Sequence, residues 1–226
     1  MKRFKSILYV VEENGDQQSA IARAVSLAEN NQADLTVMDV IPAEMGEYSE
    51  EMTNIRMQFL KSIIEPYNQR LDIKISLETG TVFIEVIRKV LRNKHDLVIK
   101  PAENPDFLKR LFGGTDIHLL RKCPCPVWIM KLPEKQKYSC VMAAVGFKPM
   151  ESSEVEEALN REILHLAGSL ALSDFASLHV VHAWEPFAAQ YIRSRGDKAH
   201  EAMAVYVERE HSLRQNGLNV IMEKFS

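Results

Sequence analysis

Gly113, Gly114 and Thr115 are the residues in this sequence whose types best suit the binding of a phosphate group. Glycines let backbone amides approach an anion closely, and a threonine at a helix start adds a hydroxyl to the free N–H groups there. A structural role is the alternative, and the one that we favour. In this structural role, Thr115 is the N-cap of a helix. Asp116 then lies in the first turn, where the helix dipole favours a negative charge.

Short apolar segments rich in β-branched residues alternate with helical patterns before and after this motif. We predict strands at the following segments: Ile7 to Val11, Leu35 to Ile41, Ile73 to Leu77, Leu97 to Ile99 and Val127 to Met130. Between them, apolar residues recur every three or four positions, as in helices packed on a sheet. The pattern predicts an α/β fold with a doubly wound, open parallel sheet. Ligands bind such sheets beyond the carboxyl ends of the strands, here residues 12–16 and 100–115.

The order strand, helix, strand occurs a second time, from Tyr138 to Ala183, which indicates a tandem arrangement. We predict a first domain at residues 1–132, a linker at 133–137 and an incomplete second domain at 138–226. The second copy is expected to end at Ser226, soon after a third strand. Because this would expose a sheet edge, we expect the chain to be a fragment of a longer protein.

The run from Asp96 to Trp128 resembles the universal stress protein family, and the match extends from Lys5 to Lys131. In that family strand four ends in Gly-x-x-Gly, and nine residues later a Gly-Ser or Gly-Thr opens the last helix before a Cys-Pro-Val strand start. The resemblance implies a Rossmann-like fold and an ATP site. Gly114 and Thr115 match the downstream pair, but Pro101 and Asn104 stand at the two upstream glycines. Proline lacks the N–H that a phosphate would need, so we predict a degenerate ATP motif.

Glu12 and Lys100 are the charged residues that this resemblance places at the ligand-binding edge. Glu12 stands where the family carries an aspartate near the nucleotide base. Strands one and four are neighbours in this fold, so we hypothesise that Glu12 and Lys100 pair across the cleft and partly fill the nucleotide site. The alternatives are a solvated acidic turn at residues 12–16 and two unrelated surface charges.

The cysteines and histidines suggest no metal or redox centre. Cys123 and Cys125 are separated by a single proline, whereas zinc and redox motifs favour two intervening residues, so we predict a structural role at a helix end. His179 and His182 are three residues apart on a predicted strand and should point to opposite faces.

Composition narrows the functional class further. The net charge is −3 with basic residues spread along the chain, which does not suggest nucleic-acid binding. No run approaches the roughly 18 apolar residues of a membrane span. Three cysteines do not form a secreted disulfide framework, so we expect a cytoplasmic protein.

We therefore predict a non-enzymatic stress-response module that binds an unknown small ligand or protein partner, with no assured cofactor and ATP as a less favoured ligand. Glu12, Lys100, Asn104, Gly114 and Thr115 are its candidate binding residues. The alternatives are a weak nucleotide-binding protein or ATPase that uses the Gly-Thr pair, and a structural scaffold. The resemblance also implies a homodimer through the sheet edge.

Overall fold

The computed structural model describes residues 4–12, 17–42, 50–103, 114–135, 137–149, 153–186 and 199–225. The chain divides into two compact units, Met1–Gln136 and Lys137–Ser226, and each unit has a parallel sheet of its own.

Strands and helices alternate along the first unit. Its elements are β1 (Ser6–Val10), α1 (Gln17–Asn31), β2 (Asp34–Pro42), α2 (Glu50–Ile64), a 3-10 turn (Glu65–Tyr67), β3 (Ile73–Gly80), α3 (Val82–Asn93), β4 (Leu97–Pro101), α4 (Thr115–Lys122) and β5 (Val127–Met130). The five predicted strands are all present, and β4 runs two residues further than predicted, through Pro101.

The five strands of the first unit form one parallel sheet in the order β3-β2-β1-β4-β5. Ile7 of β1 lies opposite Leu35 of β2 on one side and Leu97 of β4 on the other. The chain winds outwards from β1 to β3 and then returns to the other side of β1. This confirms the predicted doubly wound fold and puts the switch of strand order between β1 and β4, where such folds bind ligands.

Helices cover both faces of this sheet, which explains why the central strand β1 is apolar without alternation from Ile7 to Val10. Ile7 and Tyr9 contribute to a core that includes residues of α1 and α2. Leu8 and Val10, on the opposite face, contribute to a core that includes residues of α3 and α4. Successive strand residues point to opposite faces, so each buried residue of β1, from Ile7 to Val10, packs against one of the two cores.

The second unit consists of β6 (Cys140–Ala144), α5 (Glu154–Asp174), β7 (Ser177–Val181) and α6 (Ala199–Phe225). β6 and β7 pair in parallel, with Val141 opposite Leu178. The unit thus repeats the order strand, helix, strand, helix with which the first unit begins.

The prediction of a third strand before Ser226 is wrong, because residues 199–225 form one helix. Leu218, Ile221 and Phe225 of α6 pack against the core formed by β6 and α5. Their spacing of three and four residues puts them on one side of a helix, whereas a strand would divide them between two faces. Among the described residues, no helix has the length and apolar character needed to cross a membrane.

Candidate functional site

Lys100 lies at the carboxyl end of β4, next to the carboxyl end of β1, and its side chain is fully buried. Its ammonium group donates hydrogen bonds to Oε2 of Glu12 at 2.5 Å and to the carbonyl oxygen of Pro101 at 3.0 Å. The predicted pairing of Glu12 with Lys100 is therefore confirmed.

Gln17, at the start of α1, fixes the chain around Glu12. Its side-chain amide donates to the carbonyl oxygen of Glu12 at 2.5 Å and accepts a hydrogen bond from the Tyr9 hydroxyl at 2.8 Å. Tyr9 is fully buried in β1. The backbone of Glu12 is thus held between the sheet and α1, which directs its carboxylate towards β4.

Asp116 is the third member of this charged cluster, and the sequence analysis gave it a different role. Its side chain is 4% exposed, and its Oδ1 accepts a hydrogen bond from the Lys100 ammonium at 2.8 Å. Its Oδ2 accepts one from the backbone N–H of Glu103 at 2.9 Å. Asp116 does lie in the first turn of α4, but its carboxylate is a buried counterion rather than a surface charge on the helix dipole. Lys100 therefore forms ion pairs with two carboxylates, which supply the counterions and hydrogen bonds that a buried ammonium requires.

The start of α4 also differs from the prediction, since Gly114 and not Thr115 is the N-cap. Gly114 has φ of +114°, which glycine adopts far more easily than other residues. Thr115 is the first helical residue, and its backbone N–H donates to both carboxylate oxygens of Glu103, each at 3.1 Å. A protein carboxylate thus occupies the anion position at the helix N-terminus, where the resemblance predicts a phosphate.

Sequence reasoning missed Glu103, although one signal was available. An acidic residue stands two positions after Pro101, inside the loop that should approach phosphates. Of the other candidates, Gly113 and Asn104 lie outside the described residues, so the structure brings together Glu12, Lys100, Gly114 and Thr115.

Asp39 of β2 adds a further buried carboxylate near this edge. Burial raises its pKa above the ordinary value and the charge of Glu12 adds to the rise, although the N–H of Val40 opposes it with a hydrogen bond. A guanidinium nitrogen of Arg56 lies 3.4 Å from the other carboxylate oxygen. The described side chains at this edge therefore include four carboxylates and two cations: Glu12, Asp39, Glu103 and Asp116, with Lys100 and Arg56.

The second unit has no acidic residue at the matching point after its first strand. Gly146 stands there, and Asn160 of α5 accepts a hydrogen bond from its N–H at 3.1 Å and donates one to its carbonyl at 2.7 Å. Across the described ranges, the edge of the first sheet included, no group of three or more His, Cys, Asp or Glu side chains is arranged to hold a metal ion.

Comparisons with known proteins agree with this fold. The sequence profile of the universal stress protein family matches residues 3–131. Universal stress protein E of Salmonella typhi is 29% identical over an alignment of 206 residues, gaps included, and the match covers 81% of this chain and 63% of the relative. The same protein of Escherichia coli strain K12 is 29% identical over 201 residues, with 75% and 62% covered. The chain thus spans less than two thirds of these relatives' length, and its match to them continues into the second unit.

Two crystal structures from Pseudomonas aeruginosa share the fold. One, from strain UCBPP-PA14, has a TM-score of 0.64 and is 22% identical in sequence. The superposition covers 91% of this chain and 71% of the chain in that crystal structure. The other, a functionally unknown protein from strain PAO1, has a TM-score of 0.61 and 23% identity, with 91% and 70% covered. The sheet order and the match of the family profile over more than half of the residues lead to one conclusion: this chain belongs to the universal stress protein family, a family of stress-response proteins.

Proposed function

We propose that the chain is a cytoplasmic, non-enzymatic module of the stress response that binds a small ligand or a protein partner, and that its first unit does not bind ATP through Gly114 and Thr115. The observation that carries this proposal is the carboxylate of Glu103 on the N–H of Thr115. A helix N-terminus is the most general phosphate-binding feature of such folds, and here an internal anion already uses it.

Electrostatics supports the same conclusion. A phosphate near Thr115 would lie beside the Glu103 carboxylate, and two unit charges of like sign 4 Å apart repel by about 4 kcal/mol near a protein surface. The nearby ammonium of Lys100 is fully buried and already bonded to two carboxylates, so it offers little compensation. Pro101, which stands where the family has a glycine, has no N–H to donate.

The same features argue against an ATPase. Phosphoryl transfer depends on groups that position the phosphates and stabilise the charge that develops on them. Of the two described residues of the motif, Gly114 and Thr115, the second is the first residue of α4, and its N–H is bonded to Glu103. A weak nucleotide-binding protein or ATPase therefore stays the alternative that the experiments must address.

Calorimetric titration with magnesium ATP tests the proposal directly. We expect no saturable binding by the unmodified chain at magnesium ATP concentrations up to about 1 mM. A Kd of about 1 mM corresponds to only about 4 kcal/mol of binding free energy. Tighter binding that is lost in Thr115→Val, but kept in Thr81→Val at the N-cap of α3, would overturn the proposal and establish the nucleotide-binding alternative.

A second titration tests the role assigned to Glu103. Glu103→Gln keeps the size of the side chain and removes its charge, so this variant should bind inorganic phosphate or ATP more strongly than the unmodified chain. Equal and undetectable binding by both proteins would show that other features, such as Pro101, also exclude phosphate. Stronger binding by the unmodified chain would contradict the proposed role of the carboxylate.

The ligand itself is best sought without assuming its class. The purified protein can be denatured and any released small molecule identified by mass spectrometry. Release of ATP or ADP would overturn the proposal, whereas a different molecule would identify the ligand. An extract without any small molecule would direct the search to a protein partner.

A further inference from the structure

Cys123 and Cys125 lie at the junction between α4 and β5. Cys123 is the C-cap of α4, and Cys125 precedes β5 by two residues. Both side chains are partly buried against the core formed by β1, β2, α3 and α4. Their sulfur atoms are 3.7 Å apart, at hydrogen-bond distance for two thiols. The sequence analysis predicted a structural role for this segment, but contact between the two sulfurs adds a chemical one.

We propose that Cys123 and Cys125 are a peroxide-reactive dithiol that closes to an intramolecular disulfide. A disulfide needs a sulfur–sulfur distance of about 2.05 Å, so the two atoms must approach by less than about 2 Å. We expect rotation about the side-chain bonds to supply this approach. Neither thiol is deeply enclosed, so a small oxidant such as hydrogen peroxide can reach the pair.

The surroundings of the two sulfurs give them different chemical roles. A hydrogen bond from the Cys125 side chain, with a second from its backbone N–H, lowers the pKa of Cys123 to about 7 although burial opposes this change. The hydrogen bond to Cys123 raises the pKa of Cys125, and burial and the charge of Asp96 add to the rise. At neutral pH a large share of Cys123 is therefore thiolate, the form that attacks peroxides, while Cys125 keeps its proton.

The reaction balances with hydrogen peroxide as the oxidant. The Cys123 thiolate attacks one peroxide oxygen, the O–O bond breaks, and the departing hydroxide takes up a proton to become water. The sulfur is left as a sulfenic acid. The sulfur of Cys125 then attacks it, the S–O bond breaks, and the leaving hydroxide combines with the thiol proton as a second water. Two thiols and one hydrogen peroxide thus give one disulfide and two waters.

The third cysteine, Cys140, provides an internal control. It is exposed, lies in the second unit, and is not one of this pair. Trypsin cleavage after Lys122 and Lys131 releases residues 123–131, a peptide that contains Cys123 and Cys125 but not Cys140. The oxidation state of the pair can therefore be read separately.

The test treats the reduced, full chain with an equal amount of hydrogen peroxide and measures the peptides by mass spectrometry without reduction. We expect the peptide of residues 123–131 to lose two hydrogens, about 2 Da, and to regain them after treatment with a thiol reductant. Cys140→Ser should behave identically. In Cys125→Ser, Cys123 should be trapped as a sulfenic acid by dimedone, and Cys123→Ser should slow the oxidation of Cys125 at least about tenfold.

Three results would overturn the proposal. The first is a peptide of residues 123–131 that keeps both free thiols while Cys140 is oxidised. The second is a disulfide that joins either thiol to Cys140 or to another chain. The third is equal labelling by dimedone of Cys125 in Cys123→Ser and of Cys123 in Cys125→Ser, because the proposal assigns the first attack to Cys123. Circular dichroism of each variant separates these outcomes from loss of folding.

Discussion

Replacing Lys100 with methionine should destabilise the first unit by about 3–4 kcal/mol. The substitution keeps an unbranched apolar stem but removes the ammonium group, so Glu12 and Asp116 lose the cation that they share. Removing one partner of a buried ion pair costs about 3–5 kcal/mol because the remaining charge stays buried. We expect the lower part of this range, since the side chain of Glu12 is 14% exposed and can turn to water. Asp116 is 4% exposed and cannot do so easily.

Urea unfolding followed by tryptophan fluorescence measures this change. The chain has two tryptophans, Trp128 in β5 and Trp184 in the second unit. In a Trp184→Phe background the signal comes from Trp128 alone, which packs against the core of the first unit. This separation matters because two compact units need not unfold in a single two-state transition.

Two companion measurements decide whether the reasoning is correct. Lys74→Met breaks an ion pair with Asp34 in which both side chains are mostly exposed, and should cost no more than about 1 kcal/mol. Asp116→Asn, added to Lys100→Met, removes the stranded charge and should restore about 1–2 kcal/mol. The explanation would be refuted if Lys100→Met cost no more than Lys74→Met, or if Asp116→Asn lowered the stability further.

Three further substitutions test other parts of the structure. Burial lowers the pKa of His95 below its ordinary value of 6.5, so the unfolded chain takes up a proton that the folded one does not, and stability should fall as the pH decreases from 6.5 towards the folded pKa. Nearby charges modify this shift, with Lys89 and Lys74 lowering the pKa and Asp96 and Asp34 raising it. Urea unfolding at several pH values should show a weaker dependence in His95→Gln. Gly114→Ala should cost about 1–3 kcal/mol in the same unfolding assay, because φ is +114° and an added Cβ would lie 2.9 Å from a Glu103 carboxylate oxygen. Asn160→Ala should lower the stability of the second unit by about 1–3 kcal/mol, read from Trp184 in a Trp128→Phe background, since Gly146 would lose both side-chain hydrogen bonds.

Each of these has an outcome that would contradict it. An equal pH dependence in His95→Gln would mean that other groups cause the loss of stability in acid. A neutral Gly114→Ala would mean that the start of α4 shifts without strain. An Asn160→Ala variant as stable as the unmodified chain would mean that water replaces the amide at Gly146.

The sequence alone determined the class of fold. Apolar, β-branched segments such as residues 7–11 indicate strands buried on both faces, because residue type and spacing act through local backbone geometry. Proline has no backbone N–H, so Pro101 lacks this hydrogen-bond donor in any conformation of the chain. The pairing of Glu12 with Lys100 also followed, once β1 and β4 were taken as neighbours.

Local pattern was not sufficient where a short apolar stretch fits more than one element. A third strand was predicted shortly before Ser226, yet residues 199–225 form α6, because Leu218 and Ile221 pack with Phe225 against the core of the second unit. The same ambiguity affects any short apolar run, since burial of the side chains decides between the two periodicities.

Only the tertiary structure decided what occupies the start of α4. Glu12 and Lys100 are 88 residues apart, and Asp116 and Glu103 join them from other segments of the first unit. Residue types show that each of these side chains carries a charge, but not which rotamer it adopts or which counterion it meets. Those choices depend on the sheet order and on the cost of burying an unpaired charge, which the fold lowers by directing the carboxylates of Glu12 and Asp116 to the ammonium of Lys100.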